Sequence, residues 1–344
     1  MKRIAVEEHF VARCYMDYLR SRKDYPRLEI IEDDRHGKIE RICHSPLITR
    51  ARYPDVTNRV ADLGEGRLSH MNDAGIDMQV LSMAFPREEL LDRSDAITMA
   101  RAVNDEIHEV TKKNPDRFAG FSTLTRHDPD EAAREFERAV KKLGLKGAFF
   151  TSHFNGEYLD DEKYLVILEA AARLNAPIYL HPREPSPDMI KPYLDYPMLA
   201  RTMLGFAAEA SLHAMRLICS GVFDRLPNLK IILGHLGEAL PFWLWRMDNV
   251  WVNERVISVP HNKKLEKLPS QYIKDNFFVT TSGMFWEAAL MCVLLALGAE
   301  RILFAVDYPF EFSEEAVQFL EKAPISISDK EKIYHLNTEK LLAL

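Results

Sequence analysis

No segment of this 344-residue chain approaches the ~18 to 20 uninterrupted apolar residues that a membrane span needs, so a membrane protein is not expected. Cysteine is scarce. The four residues Cys14, Cys43, Cys219 and Cys292 lie far apart and form no CxxC pair, which excludes zinc-knuckle and dithiol redox motifs and leaves reduced core fillers as the expectation. There is no Lys/Arg run either. With 45 basic against 52 acidic residues and a formal charge of −7, the chain offers no electrostatic footprint for nucleic acid, and small molecules are the expected partners. The opening stretch "MKRIAVEEHF" reaches carboxylates before a signal-peptide hydrophobic region can form, and a cytoplasmic protein is expected. A GxGxxG turn after the first apolar run, a 20-to-50-residue repeat and a low-complexity tract are all missing, and no linker is apparent.

What the chain does have is alternation. Short β-branched or aromatic runs, "RIAVEEH", "MQVLSMA", "RFAGFST", "KGAFFTS", "APIYLHP", "LKIILGH", "NFFVTTS" and "RILFAVD", are separated by stretches several of which carry helical spacing. Eight such units predict an α/β fold, a (β/α)8 barrel in a single domain over residues 1–344. A doubly wound sheet is the competing layout. It would gather its chemistry at one switch point, whereas here polar residues close several strands: Glu7 and His9, Ser152 and His153, His181, His235, Ser282 and Asp307. Residues 21–56 are charged and read as an irregular insertion over the barrel mouth. "AITMARAVNDEIHEVTKKNPDRF" and "DPDEAAREFERAVKKLGLKG" predict outer helices, the first stopped at Asn114-Pro115 and the second opened by acids and closed by Lys and Gly.

Glu7 and His9 are one residue apart, so on a strand they share a side, while Glu8 points the other way into an expected salt bridge. His181, His235 and Asp307 end three further strands. Carboxylate and imidazole are ligands for Zn, Mn or Fe divalent ions, and a buried carboxylate is costly unless it is paired or coordinates metal. The remaining histidines read as structural: His36, His44 and His261 in charged loops, and His70, His108, His127, His213 and His335 in helices or turns. Glu238 by itself fits a helix N-terminal carboxylate. Phe242, Trp243 and Trp245 fit helix packing, and Phe285, Tyr308 and Phe310 could flank an aromatic ring.

The motifs "EEHF", "YLHPREP", "ILGHLGEALPFWLWRMD", "TTSG" and "RILFAVDYPFE" resemble the amidohydrolase superfamily across nearly the whole chain. Within it they resemble the metal-dependent, oxygen-independent decarboxylases of ortho-hydroxylated aromatic acids: γ-resorcylate and 2,3-dihydroxybenzoate types, with "TSHFNGEYLDDE" similar to the 5-carboxyvanillate type. The resemblance implies one divalent ion, Zn2+ or Mn2+, on Glu7, His9, His181 and Asp307. His9 follows the resorcylate type only. It further implies His235 and Glu238 beside the substrate, Arg246 and Arg52 on its carboxylate or ring substituent, and assembly as a homodimer or homotetramer. His153 is a further candidate contact. Decarboxylation requires protonation of the ring carbon and stabilisation of a dearomatised anion, for which Asp307 is the expected proton donor. Two other readings remain. One is hydrolysis or hydration of a lactone, amide or unsaturated diacid on the same scaffold, although strand one carries "EEH" instead of HxH and strand four ends "FFTSH" without a bridging lysine. The other is a noncatalytic ligand-binding barrel.

Overall fold

Each of the eight apolar runs contains a strand. The computed structural model describes residues 1–44, 49–84, 88–253 and 264–344, and His261 lies outside them. The strands are β1 (Ile4–Phe10), β2 (Met78–Met83), β3 (Phe118–Gly120 and Ser122–Thr123), β4 (Ala148–Thr151), β5 (Ile178–His181), β6 (Ile231–Leu233), β7 (Phe277–Thr280) and β8 (Ile302–Leu303). Every ladder among them is parallel, in the order β1-β2-β3 and then β3-β4-β5-β6-β7-β8. Last and first strands meet through backbone hydrogen bonds: Val6 N to Phe304 O at 3.0 Å, Asp307 N to Glu7 O at 3.0 Å and His9 N to Tyr308 O at 2.7 Å. This α/β ring is the (β/α)8 barrel the alternation predicted.

Its lower interior is filled by Ile4, Val6, Val80, Phe121, Phe149, Ile232 and Leu303, each fully or almost fully buried. Burial of such side chains stabilises by about 1.5 to 3 kcal/mol each and leaves polar chemistry only the upper rim. The outer helices follow their start and stop signals. Arg93–Lys113 ends before Asn114-Pro115, and Pro129–Lys141 begins with Pro at its first position while the Asp128 side chain accepts from Glu131 N at 3.1 Å. Among the described residues, no helix is long and apolar enough to cross a membrane.

Two expectations are corrected here. The insertion is not irregular: Arg27–Asp33, Gly37–Cys43 and Thr49–Arg52 form an antiparallel three-stranded sheet, turned at Gly37, whose φ of +69° suits glycine. Ion pairs cross it from Arg41 to Glu29 and from Arg52 to Glu40, and Arg27 joins Glu29 from the same strand. All four cysteines are free, but only Cys43 is buried, and Cys219 is exposed instead of filling the core.

Candidate active site

A bulge decides which side chains of β1 look inward. Ala5 pairs with Gln79 but Glu8 pairs with Leu81, so β1 carries one more residue than its partner. Ile4 and Val6 face the barrel interior below the bulge, and Glu7 and His9 face it above. Bulges re-aim side chains in this way beside active sites. Glu8 faces outward as expected, but not into a direct salt bridge. It accepts from Gln79 Nε2 at 2.9 Å and from Val306 N at 3.0 Å.

Glu7, His9, His181 and Asp307 each offer one ligand atom, and these atoms all lie within 4.8 Å of one another. Glu7 Oε1 is 3.4 Å from His181 Nε2 and 3.9 Å from His9 Nε2, which in turn is 3.0 Å from Asp307 Oδ1. Glu7 Oε1, His9 Nε2 and Asp307 Oδ1 are buried and make no well-formed hydrogen bond. Atoms so exposed to desolvation without recompense fit a divalent cation. The other sides of Glu7 and His9 are held. Glu7 Oε2 accepts from Tyr179, Ser282 and Thr280, and His9 Nδ1 lies 3.1 Å from Ser82 Oγ, leaving Nε2 to face the cluster. A Cβ on Gly234 would stand 3.2 Å from Glu7 Oε2, so glycine keeps this floor open.

Burial raises the Glu7 pKa, although His235 pulls it down. Burial, then the neighbouring His9, holds His181 neutral. At Asp307 burial works upward, but the adjoining imidazoles of His235 and His9 prevail and keep the carboxyl below its ordinary range. Burial opposes charge on His235 too, yet Glu238 and Asp307 overcome it and raise its pKa well above 6.5. His235 Nδ1 is 2.8 Å from Glu238 Oε1 and its Nε2 is 3.9 Å from Asp307 Oδ2. Five consecutive residues, His235 to Ala239, have φ between +49° and +80°, and four of them are not glycine. Left-handed backbone costs about 1 to 2 kcal/mol for each such residue, and it bends His235 and Glu238 toward each other. Glu238 is therefore not the plain helix-start carboxylate that its sequence position alone suggests.

A cavity of about 440 Å³ lies where the insertion sheet meets the barrel; Tyr15, His44, Arg52, Arg201 and Phe310 are among its lining residues, and Phe310 is its link to the cluster. The Phe310 ring centroid is 5.6 Å from that of His9. Arg52 comes to this cavity as expected; His44, read as a bland loop residue, does too. Three expected contacts lie elsewhere. His153 spends both ring nitrogens on backbone, Nε2 on Glu184 O at 3.1 Å and Nδ1 on Gly156 N at 3.2 Å. Tyr308 packs on His70 and under Arg67, because it alternates with Asp307 across the strand end, and Phe285 turns to Phe319. Arg246 is exposed on the helix Leu240–Val252 and is not among the cavity's described lining residues. Phe242, Trp243 and Trp245 are 78%, 50% and 75% exposed, not packed.

Sequence reasoning missed Tyr179 and Thr280 as supports of Glu7. The period-two rule applied backward from His181 and Ser282 would have placed both on the inner face.

A parallel eight-stranded barrel with a buried Glu-His-His-Asp cluster at its carboxyl rim defines a metal-dependent enzyme class. The chain belongs to the amidohydrolase family, which matches residues 43–344. The γ-resorcylate decarboxylase of Polaromonas sp. (strain JS666) is 37% identical over 301 residues, 85% of this chain and 91% of that protein. The crystal structure of 5-carboxyvanillate decarboxylase from Sphingomonas paucimobilis has a TM-score of 0.87 at 34% identity, covering 100% of this chain and 99% of that one. A dihydroxybenzoic acid decarboxylase structure from Polaromonas sp. JS666, with bound manganese and the inhibitor 2-nitroresorcinol, has a TM-score of 0.84 at 34% identity, covering 100% and 97%.

Proposed function

We propose that this chain is a metal-dependent carboxy-lyase that decarboxylates an ortho-hydroxylated benzoic acid without an oxidant. The observation that carries this reading is the convergence of three buried, unmatched ligand atoms beside a cavity that presents a guanidinium. Glu7, His9, His181 and Asp307 would hold one divalent ion, Mn2+ or Zn2+, which supplies Lewis acidity toward a carboxylate and its ortho oxygen.

The chain's own groups do the rest. Among the described residues Arg52 pairs with Glu40 at 3.2 Å, and its guanidinium would meet a substrate anion at the cavity. Phe310 flanks the ring. Asp307, ionised at rest beside His235 and His9, passes to the ring carbon that bears the carboxylate a proton that it takes from His235. His235, kept protonated by Glu238, restores the proton at Asp307 Oδ2 and draws its own from solvent. The carbon–carbon electron pair then returns to the ring as CO2 departs, so the net consumption is one proton per turnover. His153, Tyr308 and Phe285 act behind this surface rather than on the substrate.

Arg246 reaches a cavity through a second copy of the chain. The bare Phe242, Trp243 and Trp245 around it form the kind of apolar patch that interfaces cover, and the protein assembles as a homodimer or homotetramer. The four free cysteines fit a cytoplasmic location.

Elemental analysis of the purified protein, together with CO2 release from 2,6-dihydroxybenzoate, 2,3-dihydroxybenzoate and 5-carboxyvanillate, tests the proposal. About one ion per chain with CO2 from any of them is expected. Full activity in metal-free Asp307→Ala overturns it, and a metal-loaded protein that releases no CO2 from the panel directs the reading to hydrolysis or hydration. A monomer by light scattering removes the role of Arg246.

A further inference from the structure

Behind the cluster, on the outer side of β1, lies a buried polar chain that takes no part in the chemistry above. Arg67, fully buried on the helix Glu65–Ala74, donates through Nη1 to His9 O at 2.9 Å and through Nε to Gln79 Oε1 at 2.6 Å. Gln79 Nε2 donates to Glu8 Oε2 at 2.9 Å, and Glu8 Oε1 accepts from Val306 N at 3.0 Å. The guanidinium carbon lies 4.6 Å from the ring centroid of Tyr308. Both ends of this chain therefore grip the backbone of the metal cluster: His9 itself, and the residue before Asp307.

The place matters as much as the bonds. Glu7, His9 and Asp307 come from the two strands that close the barrel, where separate backbone hydrogen bonds join first strand to last in place of a continuous ladder. The spacing of His9 Nε2 from Asp307 Oδ1 is a property of that seam. Polarity along the chain is also determined. Arg67 can only donate, so Gln79 must turn its carbonyl to it and its amide to Glu8, and Glu8, facing N–H groups with both oxygens, must accept twice.

We infer that Arg67, Gln79 and Glu8 are positioning residues that lock the β1–β8 seam and thereby set the metal-binding geometry of His9 and Asp307. The inference rests on the reading of Glu7, His9, His181 and Asp307 as metal ligands. It assigns Glu8 a part in metal affinity although Glu8 touches no metal. Replacing Glu8 by Gln puts an amide N–H against a donor at one end or the other, and the mismatch propagates to Arg67.

The test measures the Mn2+ dissociation constant by chelator competition, with melting temperature recorded beside it. Glu8→Gln should weaken Mn2+ binding by about 10- to 100-fold, the usual effect of losing an outer partner of a ligand. The double variant Glu8→Gln with Gln79→Glu exchanges the amide and the carboxylate between the two positions. Val306 N, the residue 8 amide and Arg67 Nε then each face an acceptor again, and most of the loss should be recovered. Glu135→Gln, in a buried ion pair on the helix Pro129–Lys141 away from the seam, should lower the melting temperature without changing Mn2+ affinity. Should Glu8→Gln not fold, Arg67→Lys keeps the charge, gives up one of the two donor contacts, and is read in the same assay with the same expectation. A Glu8→Gln or Arg67→Lys protein that is merely less stable, as Glu135→Gln is, overturns the inference; so does a double variant that does not recover. A wild-type protein that binds neither Mn2+ nor Zn2+ instead overturns the metal reading beneath it.

Discussion

Two buried polar clusters sit at the carboxyl ends of neighbouring strands in this barrel, and they differ in what is left over. At β4, Ser152 Oγ donates to Glu209 Oε1 at 3.0 Å and lies 3.2 Å from His213 Nδ1, while His213 Nε2 accepts from Leu159 N at 2.9 Å and Tyr158 OH donates to Glu209. By residue type this is a nucleophile, a base and an acid. By polarity it is none of these. A ring whose Nε2 accepts carries its proton on Nδ1 and gives it to Ser152, whose own proton goes to Glu209, so nothing is available to activate the hydroxyl. At the metal cluster three buried ligand atoms remain unmatched. Between these two clusters the difference is leftover bonding capacity, not the presence of Ser, His or Glu.

The sharpest break of that contrast is Glu7→Gln, which removes an anionic ligand while preserving shape. Metal content should fall to background, a larger loss than the roughly 10- to 100-fold attached to an outer partner, and elemental analysis reads it directly. The same rule applied to donors concerns Arg52, which lines the cavity. Arg52→Leu should raise KM about 10- to 100-fold, the equivalent of ~1.5 to 3 kcal/mol for hydrogen bonds to a charged group, with kcat changed little in a steady-state assay. On the matched side of the contrast, burial and then Arg183 lower the His153 pKa to about 4. Between about 6.5 and about 4 the unfolded chain binds the extra proton and the folded one does not, so stability falls as pH drops through that window, by about 3 kcal/mol at most. His153→Gln should flatten this dependence in melting curves taken from pH 7 to pH 4. Smallest of all, Ser152→Ala should lower stability by about 1 to 3 kcal/mol, through the acceptor and donor it leaves unmatched, and leave metal content and CO2 release as in the wild type. A large loss of activity there would erase the distinction between the two clusters.

Much of this was legible in the residues. Eight strands announced themselves because barrel strands are buried on both faces and read as apolar runs, and the proposed ligands Glu7, His181 and Asp307 stood out as ionisable residues at the ends of such runs. The insertion sheet did not, because "RLEIIED" and "GKIERIC" alternate charge with isoleucine and pair Arg41 with Glu29 across strands, a signal that looks like a solvated loop. His44 and Arg201 were invisible as cavity residues because their place depends on how that sheet docks. Nor does local sequence reveal the bulge in β1: continuing the inward parity of Ile4 and Val6 would have selected Glu8, and only the motif pair Glu7 and His9 pointed to the right face. The Arg67 chain was hidden for a simpler reason, since its members are separated in sequence and meet only once the ring is built.

The closure of the ring between β1 and β8 has a consequence in time. Asp307 leaves the ribosome 300 positions after Glu7. At about 5 to 20 residues per second, the early ligands wait roughly 15 to 60 s for the last one. A nascent chain that stops before Asp307 lacks one member of the cluster, so an ion that needed all four would bind only after the two ends of the barrel have met.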